Sequence, residues 1–240
     1  MRHRHLTTAW AAALALSVSV LSTGAAAASQ DGPILSAEAE FQRVSSAARR
    51  AFGAGRYAEA LLITRDAYAF AAAELGPTNV LTLRTLNDLA VVHQMQGNFA
   101  TALPLLLQAV SGLERVAGAD HPETLNAVAN LAQLYVAMER PADAEPLLRR
   151  VYQTRVRTVG AADETALGSL VELAIFLNGQ HRLREIAPLL RRGADTARTA
   201  LGEENGTARD LKEAAAAAER GTTQQHGPTP AAGTPSNPRQ

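Results

Sequence analysis

The sequence predicts an all-α chain, a solenoid of helix pairs stacked in chain order, and three observations predict it. Gly76, Gly118, Gly160 and Gly202 recur every 42 residues, as do Pro104, Pro146 and Pro188. Within each period, apolar residues fall twice at the 3-4 spacing of an amphipathic helix. Aromatic residues make up only 4 % of a chain that is 47 % apolar. That balance, with abundant Ala, suits close-packed helices; a sheet favours β-branched and aromatic side chains.

The chain begins with MRHRH, then the apolar run AWAAALALSVSVL, then the small-residue stretch STGAAAAS. This is the order of a secretory signal peptide. Ala26 and Ala28 form an A-x-A site, so cleavage is expected before Ser29, giving a leader over residues 1–28 and a periplasmic or secreted product. A retained membrane anchor is the alternative, but it needs about 20 strongly apolar residues. The run is shorter and diluted by Ser, Thr and Gly, so no stable membrane insertion is expected after cleavage. No Cys follows it, so a lipidated cysteine is not expected.

Charge is balanced at 23 basic and 23 acidic residues, and removal of Arg2 and Arg4 with the leader shifts it slightly negative. Such a balance gives no reason to expect nucleic acid as a partner. With no cysteine in the chain, disulfides are impossible and stability must come from packing.

The repeats follow. A diverged first unit is expected over 34–75, with Phe41, Val44, Ala48, Phe52, Leu61 and Leu62 as its apolar positions. Its Gly55-Arg56-Tyr57-Ala58 precedes Gly97-Asn98-Phe99-Ala100 by one period. Full units are expected over 76–117, 118–159 and 160–201. In the unit 118–159, Leu125, Val128, Leu131, Ala132 and Tyr135 mark helix A; Ala144, Leu147, Leu148 and Val151 mark helix B. The position before helix A reads Asn79, His121, Asp163 and Asn205. Three of these are good N-cap residues, and in the fourth case Pro122 occupies the first helical position, where its missing N–H costs nothing. His121 is therefore read as helix punctuation. Ala90 with Ala102, and Ala132 with Ala144, are small pairs that let helices A and B approach closely. The prolines five or so residues into helix B imply either a bend or a late helix start.

A capping helix is expected over 202–220. There Arg209 and Lys212 stand in the slots of Leu125 and Val128, giving the polar outer face that ends a stacked array. The tail, 221–240, is rich in Gly, Pro, Thr and Gln and reads as disordered.

The string Gly118, His121, Pro122, Thr124, Leu125, Asn130, Leu131, Ala132 and Tyr135, followed by Ala144, Pro146, Leu147 and Leu148, resembles the 42-residue tetratricopeptide repeat of the kinesin-light-chain type. HEAT-like pairs have a similar period, but the G-x-[FY]-x-x-A turn favours the tetratricopeptide family. The resemblance spans about residues 34 to 202. It implies a right-handed α-solenoid whose A helices line a concave groove for a peptide or protein partner, and it implies a scaffold or adaptor with no enzymatic activity.

Carried onto this chain, the family's groove positions are Gln42, Ser45, Ser46, Arg49, Arg84, Asn87, Asp88, Gln94, Asn126, Asn130, Gln133, Glu172 and Asn178. Arg49, Arg84, Asn87, Gln94, Asn126, Asn130, Gln133 and Asn178 are the candidate peptide-binding residues. Amides both donate and accept, so they can pair with a peptide backbone of any sequence; the arginines can add charge-assisted bonds to a carboxylate. The competing interpretation is an ordinary solvated face.

Arg149, Arg150, Arg155, Arg157, Arg191, Arg192 and Arg198 could form a basic convex strip, but Asp143, Glu145, Glu185 and Asp195 lie among them, so an ordinary solvated face is the expectation. His93 shares the slot of Tyr135 and is read as packed between helices. No nucleophile-base order, phosphate loop or metal-ligand spacing stands out, so no catalytic residue, metal or cofactor is expected. Two functions stay open: an exported interaction module, and a regulatory or accessory subunit of an enzyme or signalling system encoded nearby.

Overall fold

In the computed structural model, residues 31–223 are described, and from Phe41 onward the helices pack into one body. The leader and its expected cleavage site, and the tail from residue 224, lie outside the described residues. The order is α1 (Asp31–Gly53), α2 (Tyr57–Glu74), α3 (Val80–Met95), α4 (Phe99–Val116), α5 (Pro122–Ala137), α6 (Pro141–Val159), α7 (Glu164–Gly179), a 3-10 turn (Leu183–Ile186), α8 (Ala187–Leu201) and α9 (Gly206–Thr223). No strand occurs among the described residues. The fold is an α-solenoid of antiparallel helix pairs: from α2 on, each helix packs against its successor. The first helices of successive pairs also touch, α3 against α5 and α7 against α9.

The 42-residue glycines have one job. Gly76, Gly118, Gly160 and Gly202 have φ values of 90°, 99°, 95° and 89°, which a side chain resists and glycine adopts freely. Three residues after each of them the next helix is capped. Asn79 accepts from the Leu81 amide at 2.8 Å, Asp163 from Thr165 at 2.8 Å and Asn205 from Thr207 at 2.9 Å. His121 does the same work with an imidazole, its Nδ1 accepting from the Glu123 amide at 3.2 Å. Each cap satisfies an amide that the helix itself leaves orphaned.

No unit closes its own core. Ala90 of α3 and Ala102 and Leu106 of α4 meet Leu131 and Leu134 of α5, so each pair is finished by the next pair's first helix. Likewise Ala132, Ala144 and Leu148 join Leu167, Leu170 and Leu173 of α7. Ala90, Ala102, Ala132 and Ala144 are fully buried. The stack ends on α9, whose Ala208, Leu211 and Ala218 are buried while Arg209 and Lys212 face solvent.

The helix-B prolines resolve in two ways. Pro104 and Pro146 lie inside α4 and α6, whereas Pro188 stands in the first turn of α8, after the 3-10 turn. That turn ends on Ile186, which occupies the slot held by Ala102 and Ala144. A β-branched side chain there cannot approach helix A as alanine does, and the first turn of helix B is displaced into the tighter 3-10 form.

Candidate functional site: a polar groove across the first helices

Periodicity places the site. Gln42, Arg84, Asn126 and Gly168 share one slot of helix A; Ser46, Asp88, Asn130 and Glu172 share the slot one turn on. Because α3 packs on α5, these slots form rows across the stack. They meet in a cavity of about 450 Å3, lined by Arg49, Arg84, Asn87, Asp88, Asn126, Asn130 and Glu172 together with Glu123 and Arg155. Ala48, Phe52, Val91, Val92 and Ala129 supply its apolar wall.

Of the eight candidate residues, the structure brings together Arg49, Arg84, Asn87, Asn126 and Asn130. Gln94 and Gln133 are not in the lining: they stand nearer the ends of α3 and α5, beyond the walled stretch, with Gln94 half-buried and Gln133 exposed. Asn178 lines a second cavity of about 270 Å3 between α7 and α9.

Much of the amide chemistry is already spent within the chain. Asn130 Nδ2 donates to Asn87 Oδ1 at 2.9 Å, and Asn87 Nδ2 donates to Asp88 Oδ1 at 3.3 Å. This row cross-links α3 to α5, and Asn87 is buried. Asn126 Oδ1 accepts from Arg155 Nη2 at 2.7 Å. Asn87 therefore acts chiefly as a tie between repeats.

Arg84 is different. Its Nη1 lies 3.5 Å from Glu123 Oε1 and its guanidinium 5.8 Å from the Phe41 ring centroid, while Nε and Nη2 are buried and have no hydrogen-bond partner among the described residues. Those two nitrogens form the side-on fork that grips a carboxylate or carbonyl in bidentate fashion. Glu172 Oε2 is a buried acceptor that likewise has no partner among the described residues. Such groups are costly to leave unmatched.

The electrostatics are of both signs. Burial pushes the Asp88 carboxyl above the usual carboxylate range, against the pull of Arg84, the Asn87 amide and Arg49. Burial also raises Glu172, opposed by Arg155, and lowers Arg155, opposed by Glu172 and Asp163. The site is thus a mixed row of cation, amide and carboxylate set against an apolar wall. It offers several hydrogen-bonding groups to an extended chain and no nucleophile-base pair. Among the described residues no cluster of His, Asp or Glu is placed to hold a metal ion.

Arg155 does not lie with the convex-side arginines among which the sequence places it. It reaches across from α6 into the groove, where Nη1 donates to Ser169 Oγ at 2.7 Å and to the Thr165 carbonyl at 3.2 Å. The signal was available: the same slot holds Leu113 and Ala197, both buried, so an arginine there must point its head somewhere special. Glu123 carried no comparable signal, since its slot holds Leu81 and Thr165 elsewhere. The other arginines of the strip are mostly neutralised. Arg149 pairs with Glu145 at 2.9 Å, Arg150 with Glu114 at 2.7 Å, Arg157 with Asp120 at 2.8 Å and Arg191 with Glu219 at 2.8 Å. Glu145 also takes Arg182 of the next repeat at 2.6 Å, and the Arg182 and Arg149 bonds hold its carboxyl below the usual range.

Stacked helix pairs with a polar face left open across their first helices define a helical-repeat solenoid. Residues 51–115 and 81–155 match the tetratricopeptide-repeat family. Repeats of this family mediate protein–protein interaction. The fold is similar to the crystal structure of the nearly identical TPR-like repeats of a kinesin light chain from Podosopora anserina. There the identity is 24 %, 78 % of this chain and 88 % of that one are covered, and the TM-score is 0.67. It is also similar to BtubC (BKLC) from P. vanneervenii, with 15 % identity, 89 % and 96 % coverage and a TM-score of 0.60. A comparison with curated proteins gives no match.

Proposed function

We propose that this chain is an exported interaction module that holds an extended peptide segment of a protein partner in the groove across α1, α3, α5 and α7. The observation that carries this is the unpartnered guanidinium fork of Arg84 in the cavity wall. The bidentate edge of Arg84 is unspent among the described residues, while its other end is held by Glu123 and Phe41. An acceptor on the partner, a carboxylate or backbone carbonyl, completes it, and the free amide hydrogens of Asn126 continue the row. Preorganisation of this kind lowers the ordering cost that binding must overcome.

The test is selection from a displayed random-peptide library, run on the wild type and on Arg84→Gln. Arg84→Gln is expected to weaken the selected peptides about tenfold or more, the loss typical of one partner of a desolvated charged hydrogen bond. Equal binding of the same peptides by both proteins would remove Arg84 from the site. Export is supported by the charged, apolar and small-residue regions of residues 1–28. Mass analysis of protein recovered from outside the cytoplasm should show a mature N-terminus at Ser29; an intact Met1 on that protein would reject the cleavage.

A further inference from the structure

The second cavity lies between α7 and α9, with Val171, Ala174 and Ile175 facing Ala214 and Ala217. Ile175 is 68 % exposed, the highest value among the exposed large hydrophobic residues. Asp210 and Glu213, three apart on α9 and therefore on one face, are exposed at its rim and take part in no ion pair or hydrogen bond among the described residues. Arg220 closes the far end and is engaged by another group.

Register joins this cavity to the groove. Val171 and Ile175 occupy the slots of Asn87 and Val91, both of which line the larger cavity. The same face of the stack therefore changes character along its length. Across α3 and α5 it is polar with an open arginine fork; at α7 and α9 it is apolar with free carboxylates on its edge. An isoleucine held in water gains most from an apolar side chain that covers it, and two unpaired carboxylates beside it select cations.

We infer that the α7–α9 cavity is a second docking subsite, and that it takes an aliphatic side chain flanked by lysine or arginine on a partner segment. The inference rests on the assignment of the first-helix face as the partner-binding face. It adds direction: the acidic or carbonyl end of the partner lies at Arg84 and its basic, aliphatic end at Ile175.

The experiment measures fluorescence anisotropy of three short labelled peptides on the mature chain: one of Leu and Lys, one of Leu and Glu, and one of Ser and Lys. The Leu/Lys peptide is expected to bind best. Asp210→Asn with Glu213→Gln should weaken it about three- to tenfold, the reach of two exposed charge contacts, and Ile175→Ser about tenfold by loss of the apolar floor. Glu164→Gln, an exposed acid elsewhere on α7, should leave it unchanged. All four positions are on solvated faces, so unaltered circular dichroism is expected throughout. The subsite is overturned if the Leu/Glu or Ser/Lys peptide binds as tightly, if no peptide binds, or if Glu164→Gln weakens binding as much as the rim pair. It is also overturned if Arg84→Gln abolishes Leu/Lys binding while the rim variants do not; the peptide would then sit in the larger cavity, and the groove itself would stand.

Discussion

Repeats 118–159 and 160–201 are built on one 42-residue plan and depart from each other where their second helices begin. In the first, Ala132 of α5 and Ala144 of α6 are fully buried against one another's helices, and α6 is continuous from Pro141. In the second, Ile186 replaces the helix-B alanine, a 3-10 turn replaces the first α turn, and α8 starts at Ala187 with Pro188 in its opening turn. Their open faces differ too. Asn130 of α5 is hydrogen-bonded back to α3, whereas the face of α7 carries Val171 and Ile175 toward α9. The lesson is that the period specifies the stack, while the departures from it specify what each part of the surface can hold.

The contrast is broken most sharply by exchanging the two residues at the helix-B slot. Ile186 is 5 % exposed and belongs to the core of the last repeats, so Ile186→Ala removes buried methyl groups and is expected to cost about 2–5 kcal/mol. The 3-10 turn is expected to relax in the same variant, with α8 extended back toward residue 183; a turn unchanged in Ile186→Ala would show that isoleucine does not impose it. The reverse exchange, Ala144→Ile, overpacks a contact where both partners are alanine and is expected to cost about 1–3 kcal/mol. Both are read from denaturant midpoints at unchanged slope. If Ala144→Ile proves neutral, close helix approach is not what the alanine row enforces.

The same two repeats show how much was legible beforehand. The helix pairs, the glycine turns, the caps at Asn79, Asp163 and Asn205 and the alanine row all repeat, so each was visible several times over in one chain. The polar rows of the groove were legible for the same reason: Arg84, Asn126, Asp88 and Asn130 inherit their direction from the register. What the period did not convey was how these side chains pair. Asn87 reads as a ligand group but serves as a tie to Asn130, because its neighbour's amide lies within reach only once α3 and α5 are stacked. Arg155 reads as convex by analogy with Arg149 and Arg150, yet it occupies a slot whose equivalents Leu113 and Ala197 are buried. A singular residue at a repeated position takes its direction from the slot and not from the run of arginines around it. The α7–α9 cavity was invisible for a related reason, since Ile175 at a groove slot means nothing until the capping helix brings Asp210 and Glu213 beside it.

The smallest expected effect tests the turn between helices A and B. That slot is Gly55 at φ 70° and Gly97 at φ 75° in the early repeats, but Glu139 and His181, both at φ 58°, in the later ones. A side chain in this left-handed region costs about 1–2 kcal/mol. Glycine relieves that strain but gives the unfolded chain more freedom, an opposing term of about 0.4–1 kcal/mol. Neither Glu139 nor His181 makes a side-chain hydrogen bond or ion pair among the described residues, so little else is lost on substitution. Glu139→Gly and His181→Gly are each expected to stabilise the fold by up to about 1 kcal/mol, and to add in combination because the two turns share no partners. The sign decides the matter. Destabilisation at both sites would mean that left-handed strain at these turns is smaller than glycine's entropic cost. Destabilisation at His181 alone would mean that the later repeat has refitted its turn around the imidazole, as it has refitted helix B around Ile186.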